Sequence, residues 1–206
     1  MTHSLHRKGQ VDSLKSDYVL FAISAQEVNA KGSKVKFKDF YDIVTKYDYK
    51  NIGDMKTGNM YSVGLEDIYN EFQDNSIVHA VFTDRKELIK AVKDLKEKDN
   101  GLSIVISGLI DDVRKVCKES GAEFHTVNNS LGIWGQTDRL PDEKVVQIST
   151  MCGHGMVSFN LIEDLVDKVD KGQMEIDKAV NEITKQCHCG IINPVRTKQL
   201  MEDMLE

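Results

Sequence analysis

Three of the four cysteines lie in two short runs near the C-terminus, and each run also contains a histidine and at least one glycine. The first run, 151–156, contains Cys152 and His154, and the second, 187–190, contains Cys187, His188 and Cys189. Thiolates and imidazoles are preferred zinc ligands, and thiolates also hold iron–sulfur clusters. Soft ligands concentrated in this way predict a metal or iron–sulfur site.

The chain between the two runs predicts a helical hairpin. Its apolar residues recur at helical spacing in two stretches, Leu161, Ile162, Leu165, Val166 and Val169, and then Ile176, Ala179, Val180 and Ile183. Ser158 is placed to cap the first helix. Because a hairpin brings its ends together, we expect Cys152, Cys187 and Cys189 to converge on one centre.

The number of cysteines leaves the identity of the centre open. A [4Fe–4S] cluster usually has four cysteine ligands, so three would leave one iron open to a substrate oxygen or sulfur. Zinc could instead take three cysteines and either His154 or His188. The Cys187-x-Cys189 spacing is tighter than that of familiar structural zinc sites, which favours the cluster. A further alternative is that the three are unrelated buried cysteines. Cys117 falls on the apolar stripe of a predicted helix and is expected to be a core residue.

Histidine titrates near neutrality, so His154 is the candidate catalytic acid or base if it does not bind metal. Three-cysteine clusters with an open iron occur in non-redox lyases and in desulfidating enzymes. That similarity is one of ligand count and not of motif, so it implies no residue roles.

Candidate substrate-binding residues lie in two other places. Asn128, Asn129 and Ser130 follow a predicted strand, and ligands of open α/β sheets gather at such strand ends. Trp134 lies between the glycines that follow, although a lone tryptophan is also typical of a core or interface. Arg196 lies in the first turn of the last predicted helix and could hold a carboxylate or phosphate, or lie on the surface.

The rest of the chain predicts an α/β fold. Continuous apolar runs at 18–24, 77–82 and 102–108 have strand length, and further strands are predicted at 123–127 and 145–149. The alternation of strands with helices between them favours a mostly parallel sheet flanked by helices, followed by a C-terminal helical segment that carries the cysteine site. A split, ferredoxin-like arrangement uses similar pieces and stays open.

The expected division is an α/β domain over 1–150 and the helical segment over 151–206, in one compact unit. The glycine-rich stretch 51–59 predicts a loop. Residues 1–16 are polar, and His3 and His6 are expected to be terminal polar residues and not ligands.

The amino-acid composition limits the classes of binding partner that we expect. A net charge of −6 in 206 residues argues against general nucleic-acid binding, and no apolar run reaches the ~20 residues of a membrane span. Without a signal peptide the protein is expected in the cytoplasm, where thiols stay reduced. We therefore expect an iron–sulfur or metal-dependent enzyme acting on a small anionic or sulfur-containing molecule. The alternative is a non-catalytic metal or sulfur carrier, sensor or zinc-stabilised protein, and homo-oligomerisation is compatible with either.

Overall fold

A five-stranded antiparallel sheet forms the centre of the computed structural model, which describes residues 3–206. The strands are β1 (Tyr18–Ile23), β2 (Tyr49–Asp54), β3 (Gly58–Asn59), β4 (Ile77–Phe82) and β5 (Ser103–Ser107), in the spatial order β3-β2-β4-β1-β5. Every neighbouring pair is antiparallel. The predicted mostly parallel sheet is therefore wrong.

The missed strand β2 explains the error. The connection from β1 to β2 spans β4, and the connection from β4 to β5 spans β1, so the sheet has the split arrangement that the sequence left open. The central strands β1 and β4 are covered on both faces. Their continuous apolar runs therefore report burial and carry no information about strand direction.

Helices form a layer on each face of the sheet. One layer comprises α2 (Ser33–Val44), α3 (Leu65–Asn70), α4 (Arg85–Lys98) and α5 (Ile110–Ser120). The other comprises α6 (Glu143–Ser149), α7 (Phe159–Asp170), α8 (Ile176–Gln186) and α9 (Pro194–Leu205). A one-turn helix, α1 (Val11–Leu14), and a 3₁₀ turn, Thr137–Arg139, complete the regular structure of the described residues.

Alternate residues of each central strand supply the two cores. In β1, Leu20 and Ala22 face the first helical layer, whereas Val19 and Phe21 face the second. The predicted helical hairpin is confirmed as α7 and α8, with the Ser158 side chain accepting a hydrogen bond from the Leu161 amide.

Two predicted strands are wrong. Residues 145–149 belong to α6, which the Asp142 carboxylate caps by accepting from the Lys144 amide at 2.8 Å. Residues 123–127 are extended but unpaired, within an exposed stretch that leaves Phe124 and Trp134 in solvent. None of the helices within 3–206 combines the length and the apolarity needed to cross a membrane.

Candidate thiol and imidazole site

Two loops of the second helical layer carry the cysteines. Cys152 lies in the loop between α6 and α7, which the Ser149 hydroxyl closes by donating to the Val157 carbonyl at 2.7 Å. Cys187 ends α8, and Cys189 lies in the loop that leads to α9. All three side chains are buried and free of disulfides.

Cys152 and Cys187 are neighbours that shift each other's pKa. The neighbouring Cys187 thiol is the main reason that the pKa of Cys152 falls to about 6. Burial opposes the shift, while the backbone amides of Met156 and His154 add to it. The neighbouring Cys152, with burial, raises the pKa of Cys187 well above its usual value. The pair therefore holds one thiolate and one thiol near neutral pH.

A second pair joins Cys189 to His154. The Cys189 Sγ lies 3.6 Å from His154 Nδ1. Burial raises the pKa of Cys189 to about 12, with smaller contributions from Cys152 and Asp54. The mutual influence of the three thiols on their pKa values means that Cys189 lies close to the first pair.

Three imidazoles extend the site down to the sheet. His79, on β4, is fully buried, and its Nε2 lies 2.8 Å from the Nε2 of His3. The His3 ring stacks on that of His154, with centroids 4.8 Å apart and planes 7° apart. Burial, followed by the charge of His154, lowers the pKa of His3 to about 4. The three imidazoles therefore form a row that begins with neutral His79 and His3 at the sheet and ends with the exposed side chain of His154.

Two glycines of the cysteine loops allow the backbone of another segment to approach closely. The Gly153 amide donates to the His3 carbonyl at 2.9 Å, and a Cβ on Gly153 would collide with the His3 backbone. A Cβ on Gly190 would lie 2.7 Å from the Gly53 nitrogen in β2. These glycines thus allow close contact between chain segments.

The stretch predicted as a glycine-rich loop supports the second cysteine loop. It forms β2, β3 and the turn between them. The Asn59 side-chain amide donates to three carbonyls at the end of α8, at 2.8 Å to Cys187 and 3.3 Å to Thr184 and Lys185. Asn51 likewise donates to the Ile192 carbonyl at 2.9 Å. Polar residues placed in this way fix the backbone around Cys187 and Cys189.

The predicted substrate-binding residues lie in two other environments. Asn128, Asn129 and Trp134 are exposed in the unpaired stretch, and the Ser130 hydroxyl lies 3.0 Å from His6 Nδ1. Arg196 is fully buried and pairs with Asp17 at 3.0 Å. These placements leave their binding roles as predictions. His188 is half-buried within the second loop, and Cys117 is buried on α5.

Sequence reasoning did not assign His3 and His79 to this site. A histidine inside an otherwise apolar strand is an available signal for His79, because a buried imidazole needs a partner. His3 has no such signal, since 76 positions separate it from His79.

Within residues 3–206, no group of three or more histidine, cysteine, aspartate or glutamate side chains is already arranged to hold a metal ion. The arrangement is instead a contact between Cys189 and His154 beside the neighbouring thiols of Cys152 and Cys187. No protein-family model, curated protein or solved structure matches the chain.

Proposed function

We propose that the protein binds one thiophilic metal ion, with zinc the best fit, through Cys152, Cys187, Cys189 and His154. The observation that carries the proposal is the 3.6 Å approach of Cys189 Sγ to His154 Nδ1, beside the buried and neighbouring thiols of Cys152 and Cys187. Such a site belongs to the non-catalytic class of metal carrier, sensor or zinc-stabilised protein, because four protein ligands leave no open position for a substrate.

One distance between donor atoms fits a single zinc ion. A tetrahedral zinc with bonds of ~2.3 Å to sulfur and ~2.1 Å to nitrogen puts those two atoms about 3.6 Å apart. Cys189 Sγ and His154 Nδ1 are separated by 3.6 Å. A [4Fe–4S] cluster is held by thiolates, so it gives no reason for this approach of an imidazole nitrogen to a sulfur.

The protonation states of the three thiols determine how many protons a metal ion must displace on binding. Cys152, with a pKa of about 6, offers a thiolate at neutral pH, whereas Cys187 and Cys189 are held protonated. An entering cation would displace these two protons and draw the two donor pairs to a common point. The exposed side chain of His154 can supply part of that movement. A reducing compartment such as the cytoplasm would keep the thiols available.

An iron–sulfur enzyme is the second candidate. In it, Cys152, Cys187 and Cys189 would hold a [4Fe–4S] cluster, and His154 would act as acid or base toward a small anionic or sulfur-containing molecule. The observation in its favour is the solvent-exposed imidazole beside a buried thiol. A free imidazole at the mouth of the site suits proton transfer better than it suits a structural ligand.

Metal content of anaerobically purified protein separates the two candidates. We expect colourless protein with about one equivalent of zinc, lost in Cys187→Ser and strongly reduced in His154→Ala, as expected when ligands of a single-ion site are removed. Cys117→Ser and His125→Ala, outside the site, should retain the metal. Brown protein with about four irons and sulfides, unchanged in His154→Ala, would favour the cluster enzyme. Protein without bound metal after zinc or iron loading would exclude both.

A further inference from the structure

A separate cavity of about 680 Å³ opens beside the N-terminal segment. Residues 6–9 form one wall, and the stretch from Ser130 to Val146 supplies the other. Its volume is in the range of small-molecule sites. The segment that forms the first wall also reaches the cysteine loops, because Arg7 donates to the Ile191 carbonyl and the Lys8 amide donates to Thr150 Oγ1.

Buried positive charge lies behind this cavity. The Asp17 carboxylate accepts from Arg7 Nη1 at 2.9 Å and from Arg196 Nη1 at 3.0 Å, and all three side chains are buried. Two guanidinium groups thus share one carboxylate. The Arg7 Nε–H is also buried, and no hydrogen-bond partner for it lies among residues 3–206. An unbalanced buried cation is costly, so this arrangement favours an anion nearby.

The polar side chains that line the cavity also favour an anionic ligand. His6, Arg7 and Lys8 line one side, and Ser130 lines the other, whereas Glu143 is the single carboxylate of the lining. Arginine and lysine with a hydroxyl are the donors typical of carboxylate and phosphate recognition.

We propose that this cavity is a binding site for a small anionic molecule, whose carboxylate or phosphate group is held by Lys8 and Ser130. The site is distinct from the thiols and does not depend on the metal proposal. It gives Ser130 a role in binding, and the net positive charge of Arg7 and Arg196 with Asp17 attracts the anion.

The test uses the full chain with pyrophosphate and succinate as probes of the two anion classes. Calorimetry measures binding, and the fluorescence of Trp134, the only tryptophan, reports on the wall that includes Ile133. We expect saturable binding of at least one probe at one site. Lys8→Gln should weaken it roughly 10- to 100-fold through loss of a charged contact.

Lys118→Gln, an exposed lysine on α5, is the matched charge control and should bind like wild type. Arg7→Gln removes a buried ion pair and can prevent folding. The test therefore depends on Lys8→Gln and Ser130→Ala. No saturable binding of either probe would overturn the proposal. Equal weakening in Lys8→Gln and Lys118→Gln would overturn it as well, by showing that only overall charge matters.

Discussion

Cys152 and His154 are separated by one residue, yet they lie beside different cysteines. Cys152 neighbours Cys187, and His154 contacts Cys189. The Gly153 amide between them donates a hydrogen bond to the His3 carbonyl. The short first run therefore lies near both cysteines of the second run. The proposed four-ligand centre would form from this arrangement.

The thiol pair predicts a measurable titration. In metal-free protein, Cys152 should ionise with a pKa of about 6, and in Cys187→Ala its pKa should rise toward the ordinary value of 9.0. The rise follows because the neighbouring Cys187 thiol is the largest cause of the lowered value. Thiolate absorbance against pH gives the measurement, and Cys117→Ala is the control. An unchanged titration in Cys187→Ala would contradict the influence of Cys187 on the pKa of Cys152.

His3 predicts a pH dependence of folding. Its pKa is about 4 in the folded protein and 6.5 ordinarily, so the unfolded chain binds the proton more readily. The stability that neutral His3 contributes is complete above the ordinary pKa and is lost as pH falls from about 6.5 to about 4. Buried His79 acts in the same direction. Urea unfolding of chelator-treated protein should therefore show falling stability in this window.

His3→Gln should flatten that dependence, because one of the two buried imidazoles is gone. His125→Gln, on an exposed residue of the unpaired stretch, should leave it unchanged. If His3→Gln and wild type had the same slope, the burial of His3 against His79 would be in doubt.

Among the elements, β2 links the sheet to the cysteine site. Its residues pack against the second cysteine loop through Gly53, and the adjoining Asn59 holds the end of α8. Sequence patterning missed this strand because Asn51, Gly53 and Asp54 are residues depleted in strands. Their contacts with the C-terminal layer, which no local pattern records, explain their presence.

Asn59→Ala should destabilise the fold by about 1–3 kcal/mol, because the change leaves buried carbonyls at the end of α8 without donors. The matched control is Asn70→Ala, at an exposed position at the end of α3, where a change within about 0.5 kcal/mol is expected. Denaturant midpoints measure both. Equal effects of the two substitutions would show that the Asn59 bonds do not stabilise the structure.

How far the sequence predicts each element depends on whether the determining contacts are local. The α7–α8 hairpin follows from helical spacing and the Ser158 cap, and it accounts for the meeting of Cys152 and Cys187. The assignment of 145–149 as a strand fails because Val145, Val146 and Ile148 also fit a short buried helix.

Across the whole molecule, the N-terminal segment connects regions that are far apart in sequence. His3 reaches the sheet at His79, and Arg7 reaches both Asp17 and the Ile191 carbonyl. Its polar composition predicts only terminal polar residues, because these partners are brought together by the fold and not by local sequence. The segment lies against both the thiol site and the anion cavity.

Asp17→Asn tests the charge balance of this region. It would leave two buried guanidinium groups without a carboxylate, so we expect a loss of about 3–5 kcal/mol in unfolding free energy. Asp12→Asn removes an exposed ion pair with Lys15, which solvent screens, and should leave the unfolding free energy nearly unchanged. Guanidinium or urea denaturation distinguishes the two. A small loss of unfolding free energy in Asp17→Asn would mean that solvent already stabilises the charges of the two arginines.

X-ray absorption spectroscopy of the zinc-loaded protein tests most directly whether Cys152, Cys187, Cys189 and His154 bind one zinc ion. We expect three sulfur ligands at ~2.3 Å and one nitrogen ligand at ~2.0–2.1 Å, with the nitrogen lost in His154→Ala. An iron cluster spectrum from protein isolated without oxygen would contradict it. Zinc surrounded by oxygen or nitrogen alone, with Cys152, Cys187 and Cys189 still free to react with a thiol reagent, would contradict it equally.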